Sequence, residues 1–344
     1  MNEKFNLAIH DPFLEVGYKM RALCISIENT NHYKWLSNAP IRPCNRWSVQ
    51  VKVAGSSMNH MDLFAPQIPP YRMLRNGKPG GFDFSGRIVE VGESVRHFSP
   101  GDRVFGFAPG FCEYTNAYPW LISRVPDAIQ DLSAMSLYPS VAGTALQIIR
   151  KHMLRRGRSV SRLAVIGASG GIGSSVIQLA RHYGGPNLHI TAVASARNAD
   201  YCASLGADQF IDYKKHIDWS TAFAPHALDL IVDTVSGNVG FPDYVPHAFP
   251  LRSTDGMYVC TNSLNPQDYL RKFSGTQRKG FDLFVMNPFQ VASSELPEIS
   301  RLVETGALKL RAGNQISFDE DSMLRALQHF KERHAQGKTH IHIG

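Results

Sequence analysis

The strongest constraint in this chain is one continuous run. Leu163-Ala164-Val165-Ile166 leads into Gly167-Ala168-Ser169-Gly170-Gly171-Ile172-Gly173, and Ser174-Ser175-Val176-Ile177-Gln178-Leu179-Ala180 follows. Four apolar residues of strand character enter a turn of small residues, and helical text leaves it. Small residues let the backbone turn tightly and approach a phosphate closely. The helix start supplies unbonded N–H groups and the positive end of the peptide dipoles, so an anion is favoured there. A glycine cluster alone only makes a turn; the strand before it and the helix after it point to a dinucleotide cradle. Ser169, Ser174, Ser175 and Gln178 interrupt the apolar stretch 163–180, so no transmembrane helix is expected.

The text beyond the turn alternates. A helix is expected at Gly171–Tyr183, a strand at His189–Ala194 and a helix at Ala199–Leu205. Further strands are expected at Gln209–Asp212, Asp229–Asp233, Gly256–Thr261 and Phe281–Val285. With Leu163–Ile166 these make six, enough for a Rossmann sheet, doubly wound and parallel. The second strand ends Ala194-Ser195-Ala196-Arg197-Asn198. An Asp or Glu at that strand end serves NAD by binding the ribose 2′-hydroxyl, whereas a small hydroxyl followed by Arg suits a 2′-phosphate. NADPH is therefore the expected cofactor. Capping of the next helix by Ser195 is expected in either case.

Before the turn, Arg21 to Trp120 reads as short β-rich runs punctuated by Gly and Pro. Strands are expected at Val49–Ala54, Gly86–Val91, Arg103–Phe107 and Phe111–Thr115, with a turn at Pro100-Gly101-Asp102. After the alternating region come amphipathic helices at Ser294–Glu304 and Asp319–His334 and a strand at Thr339–Ile343, expected to rejoin the β-rich part. The expected organisation is a β-rich catalytic domain over 1–138, a dinucleotide-binding domain over 139–290 and a return to the catalytic domain over 291–344.

A chain of 344 residues with 43% hydrophobic content can bury a large core and suggests two domains. Its 36 Lys and Arg against 29 Asp and Glu give a formal charge of +7, which favours anionic ligands and weakly favours nucleic acid. No nucleic-acid motif accompanies the charge, and the basic residues are spread along the chain, so a mildly basic solvated surface is expected. The segment 265–280, with Arg271, Lys272, Arg278 and Lys279, reads as a solvated loop; the alternative is a border of the substrate mouth that attracts an anionic tail. Five scattered cysteines with no C-x-x-C pair argue against a disulfide framework and a structural zinc site. The first residues lack a secretory or transit pattern, and the expected location is cytoplasmic.

Several further motifs appear in a fixed order. Val51-Lys52-Val53-Ala54-Gly55 leads to Asn59-His60-Met61-Asp62, then Gly81-Phe82-Asp83-Phe84-Ser85-Gly86, Gly101-Asp102-Arg103-Val104 and Gly143-Thr144-Ala145-Leu146. Ser204-Leu205-Gly206-Ala207-Asp208, Asp229 to Thr234 and a terminal Gly337-Lys338 before a strand complete the series. From Met20 onward the chain resembles the medium-chain dehydrogenase/reductase superfamily. The resemblance implies a GroES-like catalytic β domain built from both chain ends, a Rossmann domain between, and a homodimer through the Rossmann sheet edge. It places the active site in the cleft.

The zinc-dependent branch of that superfamily has Cys where Asn59 stands and His where Phe82 stands. The resemblance is therefore to the zinc-free quinone oxidoreductase (zeta-crystallin-like) branch, which implies hydride transfer from NADPH to a quinone or an α,β-unsaturated carbonyl as a small-molecule electron acceptor. By position, Asn59 is expected near the nicotinamide and a substrate carbonyl, or as a loop residue bonding its own backbone. Thr144, Ala168, Ser169, Gly170, Gly171, Ile172, Gly173 and Thr234 are expected to line the cofactor site. Ser195 and Tyr213 are expected on the 2′-phosphate beside Arg197. Phe64 stands where bacterial quinone reductases show a tyrosine. Tyr71 lies close to the tyrosine that 2-enoyl thioester reductases use as proton donor, which makes that activity the alternative; its other reading is an aromatic packing a proline-rich loop. An RNA-binding or structural protein that retains the fold is the alternative from another class.

Overall fold

The computed structural model describes residues 17–155, 159–215, 219–236, 243–262, 266–332 and 337–344. Two compact units divide the chain. The first combines Met1–Ser140 with Pro288–Glu304 and Ala312–Gly344; the second holds Val141–Asn287 with Thr305–Arg311.

In the first unit the described strands are β1 (Lys19–Ile25), β2 (Tyr33–Pro40), β3 (Val49–Ser57), β4 (Asp83–Val91), β5 (Arg103–Phe107), β6 (Tyr114–Ala117) and β7 (Ile122–Arg124). From the C-terminal part come β14 (Ala312–Ser317) and β15 (Lys338–His342). One sheet runs β14-β15-β3-β4-β5-β7 with β6 also on β3, and β1 and β2 form a separate hairpin. The valines of Val-Gln-Val-Lys-Val in β3 recur with the strand period of two; Val49, Val51 and Val53 are fully buried with Phe84, Ile88 and Val104. Register then places the site. Ser57 of β3 lies opposite Asp83 of β4, His340 of β15 lies opposite Ser57, and Met58 N–H donates to Thr339 O. Residues 59, 83 and 338 are thus neighbours although the chain between them spans most of the protein.

The second unit carries β8 (Arg162–Ile166), β9 (His189–Ala194), β10 (Gln209–Asp212), β11 (Leu228–Asp233), β12 (Arg252–Cys260) and β13 (Phe281–Leu283). All pairings are parallel, in the order β10-β9-β8-β11-β12-β13. Chain order reverses between β8 and β11, the signature of a doubly wound Rossmann sheet. The continuous apolar text of β8 follows from burial on both faces: Leu163, Ala164 and Val165 are fully buried. The molecule is therefore an α/β protein with a Rossmann unit and a mostly β, GroES-like unit.

Some expected elements moved. The strand expected at Phe111–Thr115 forms at Tyr114–Ala117, because pairing with β3 starts at Lys52 opposite Tyr114 while Phe111 is consumed as a fully buried plug beside Tyr33. A helix over Pro139–His152, the β1–β2 hairpin and the polar strand β14 went unread. The residues of β14 lack the apolar alternation that marks a half-buried strand, and pairing with β15 supplies the missing reason to order. The segment 265–280 is not the solvated loop expected: its described part contains the helix Pro266–Phe273, Lys272 pairs with Asp282 at 2.8 Å, and Arg278 stacks over Phe281 at 4.5 Å. Asn265 lies outside the described residues. The helix expected at Asp319–His334 is described over Glu320–Glu332.

Candidate functional site

A candidate nucleotide-binding centre is built within the second unit. Gly167 follows β8 with φ +76°, a conformation that L side chains avoid, and a Cβ there would meet Thr234 Oγ1 at 2.4 Å. A Cβ on Gly173 would lie 2.3 Å from Gly167 O, so only glycine lets the helix Gly171–Gly184 start this close to the strand end. Gly170 is the helix N-cap and makes no side-chain cap, and intrahelical bonding starts with Ser174 N–H on Gly170 O. The N–H groups of Gly171, Ile172 and Gly173 are the free donors of the first turn. This geometry fits a pyrophosphate. Ala168 is buried and donates to Val193 O. Thr234 donates from Oγ1 to Ile166 O at 2.9 Å, and Thr144 is buried on the helix whose Val141 faces Gly171.

The strand end of β9 carries the residues expected to select the cofactor. Ser195 is buried and stands at the start of a helical turn, Ala196–Asn198, yet makes no side-chain cap there, contrary to expectation. Instead its Oγ accepts from Asn198 Nδ2 at 3.1 Å, and the same amide donates to Ser169 Oγ at 2.9 Å. An oxygen that accepts from Asn198 keeps its own O–H to donate outward. Arg197 is exposed, and Tyr213 N–H donates to Ala194 O, which sets Tyr213 beside the same strand end. Asn198 was missed in the sequence because an Asn after a strand reads as a turn residue.

A different kind of centre lies in the first unit. Asn59 opens the short helix His60–Phe64, and its backbone N–H donates to Asp62 Oδ2 at 2.6 Å. Its side chain completes a capping box with Asp62 at the helix start, the local backbone role one reading expected, and it also reaches across the sheet: Nδ2 donates to Asp83 Oδ2 at 3.1 Å and Oδ1 accepts from Lys338 Nζ. Lys338 Nζ is 2.9 Å from Asp83 Oδ2, and both side chains are buried. Asp83 also accepts from Ser140 N–H, Ser140 Oγ and Ser57 Oγ. Asp62 is 1% exposed; burial pushes its carboxyl up to about 8, with the Asn59 N–H and the Lys338 ammonium pulling the other way and the Asp83 charge adding to the rise. Its Oδ1 has no partner among the described residues.

Tyr71 sits apart from these hydrogen bonds. It lies on the helix Pro69–Arg75, half-buried against the core of the first unit, and burial raises its hydroxyl above the usual range with Arg75 opposing. Phe64 is exposed.

Comparison with known proteins places this geometry. The family model described as alcohol dehydrogenase GroES-like domain matches residues 45–121, and the one described as zinc-binding dehydrogenase matches residues 205–339. The chain belongs to the medium-chain dehydrogenase/reductase superfamily. Members of this superfamily are oxidoreductases that use nicotinamide cofactors. The trans-enoyl reductase pgmF of Aspergillus terreus (strain NIH 2624 / FGSC A1156) is 28% identical over 316 residues, 86% of each chain. The 2-methylene-furan-3-one reductase of Solanum lycopersicum is 25% identical over 319 residues, 89% of this chain and 74% of that one. The quinone oxidoreductase from Coxiella burnetii has the same fold, with a TM-score of 0.76 and 23% identity over 95% of this chain and all of its own.

The superfamily's zinc does not fit the Asn59 centre. An amide replaces the thiolate, and the Lys338 ammonium already takes Asn59 Oδ1 and Asp83 Oδ2, the atoms a metal would need. Among the described residues no group of three His, Cys, Asp or Glu side chains could hold a metal ion, and no helix is long and apolar enough to cross a membrane.

Proposed function

We propose that this chain is an NADPH-dependent, zinc-independent reductase of quinones or α,β-unsaturated carbonyls. The observation that carries the reading is Asn59, an amide donor standing where metal-using relatives need a thiolate. The bound cofactor supplies the hydride. The residues of the chain do the rest: the first-turn N–H groups of the helix Gly171–Gly184 bind the pyrophosphate, and Asn59 Nδ2–H donates to the acceptor oxygen as negative charge develops there. Ser195 and Arg197 support NADPH over NADH, because a guanidinium and a hydroxyl donor suit a phosphate and no carboxylate stands among them.

The test is NADPH oxidation with a panel of quinones, enones and enoyl thioesters, with and without chelator. Turnover of a quinone or enone that survives the chelator supports the reading; loss of activity on chelation, restored by zinc, overturns it. Dissociation constants for both cofactors complete the test. We expect NADPH to bind at least about tenfold tighter than NADH, and Ser195→Asp to reverse the preference by repelling the 2′-phosphate.

The likeness to a trans-enoyl reductase favours a second reading, a 2-enoyl thioester reductase with Tyr71 as proton donor. Unchanged enoyl thioester turnover in Tyr71→Phe would exclude Tyr71 from that role. We also propose a cytoplasmic homodimer: the five cysteines are all free, which suits a reducing compartment, and β13 ends the sheet order with its outer edge open to a second copy. A monomer in sedimentation at micromolar concentration would rule the dimer out.

A further inference from the structure

We infer that the Lys338 ammonium is the fixed cation of the Asn59 centre, a positioning residue that takes the electrostatic place of a metal and acts through the Asn59 amide. The inference rests on the reading of Asn59 as the oxyanion donor and names what makes that donor effective. Lys338 is 4% exposed and spends its charge on two acceptors, Asn59 Oδ1 and Asp83 Oδ2. A lysine this buried is held by its partners, because a bare ammonium out of water is costly.

The consequences for Asn59 follow from the chemistry of a primary amide. Its oxygen is committed to the ammonium, which fixes which end of the side chain is oxygen. One N–H is committed to Asp83, and the side chain also hydrogen-bonds the Asp62 carboxyl. Asn59 is half-buried, so its amide N–H edge is the part of the cluster that can meet a ligand. A cation on the amide oxygen draws electron density from the nitrogen and strengthens that N–H as a donor, as coupled hydrogen bonds polarise one another in a low dielectric. The Asp83 carboxylate, locked by Ser57 and Ser140, balances the charge. The developing oxyanion is therefore met by a neutral amide with a positive charge directly behind it. No proton need leave Lys338.

A plain structural ion pair joining β4 and β15 is the competing account, and kinetics separates the two. The informative variant is Lys338→Met with Asp83→Asn, which removes both charges together and leaves no unpaired one; Lys338→Arg retains the cation. NADPH affinity, a property of the second unit, checks that each variant is folded. We expect the charge-free variant to bind NADPH within twofold of wild type. Its kcat for the enone or quinone acceptor should fall at least tenfold while KM changes less than threefold, and Lys338→Arg should recover part of kcat. Adding Asn59→Ala to the charge-free variant should cost less than the same substitution costs in wild type, since the ammonium acts through that amide. In protein labelled with ¹⁵N at asparagine, the Asn59 side-chain signals, assigned with Asn59→Asp, should move in the charge-free variant.

Wild-type kcat in the charge-free variant overturns the inference, as does a full, multiplicative loss on adding Asn59→Ala or an unmoved Asn59 signal. Failure of the wild type to reduce any quinone or enone removes the proposed function and this inference with it, whereas turnover that ignores Lys338 removes this inference alone.

Discussion

The two candidate centres, one in each unit, are built in opposite ways. The nucleotide cradle is local: strand, turn and helix occupy 163–184, Gly173 is demanded by a backbone contact within that stretch, and Gly167 by its own positive φ as well as by the side chain of Thr234. The Asn59 centre is long-range: its three polar members stand at 59, 83 and 338 and meet only through strand register. A local motif tolerates change elsewhere and breaks at its own small residues. A register-built cluster is sensitive to charge balance, because each buried charged member relies on partners that the chain delivers from far away.

Breaking that charge balance should give the largest effect. Lys338→Met alone leaves Asp83 buried without its cation and should cost about 3–5 kcal/mol in denaturant unfolding. Combining it with Asp83→Asn should recover most of that loss, whereas equal losses in the single and double variants would show that packing of the lysine stem, not charge, is what matters. In the cradle, Gly173→Ala places a methyl against Gly167 O and should cost ~2–3 kcal/mol with weakened binding of both cofactors. Wild-type stability and affinity there would mean that the strand-to-helix approach has slack.

Smaller effects sharpen the contrast. Arg197→Ala should weaken NADPH about tenfold, leave NADH unchanged and leave stability unchanged, since Arg197 is exposed. A parallel loss of NADH affinity would move the side chain from the phosphate to a general role. The smallest effect concerns pH. Asp62 is raised to about 8 in the folded chain against roughly 3.9 unfolded, so its contribution to stability is full below about pH 4 and is lost as pH rises towards 8. Asp62→Asn cannot titrate and still accepts from the Asn59 N–H. Relative to wild type it should gain at least about 1 kcal/mol between pH 5 and 8, read by unfolding at several pH values. A constant difference across that range would show that the Asp62 carboxyl titrates normally.

Legibility followed the same division. The six strands of the Rossmann sheet were readable because buried parallel strands are apolar runs separated by turn residues, and β9 and β10 formed at the residues expected. β12 began four residues earlier than expected, at Arg252, where pairing with Leu228 and not apolar text sets the start. Ser195 and Arg197 were readable as candidates at the end of β9, whereas Asn198, which hydrogen-bonds the Ser195 hydroxyl, was not. Asn59 was readable as a candidate only through motif position, and nothing local marked Lys338 as its partner.

By itself, the sequence determined the doubly wound unit, its glycine cradle and the absence of a thiolate at position 59, because these depend on periodicity and residue type within short windows. Tertiary structure alone decided that Asn59 turns its oxygen to a buried ammonium, that Asp83 balances that charge and that Asp62 is pressed towards its neutral form. The physical reason is that hydrogen-bond partnership and desolvation depend on distance in space. The antiparallel register of β15 on β3 sets those distances, and no window of the chain contains both strands.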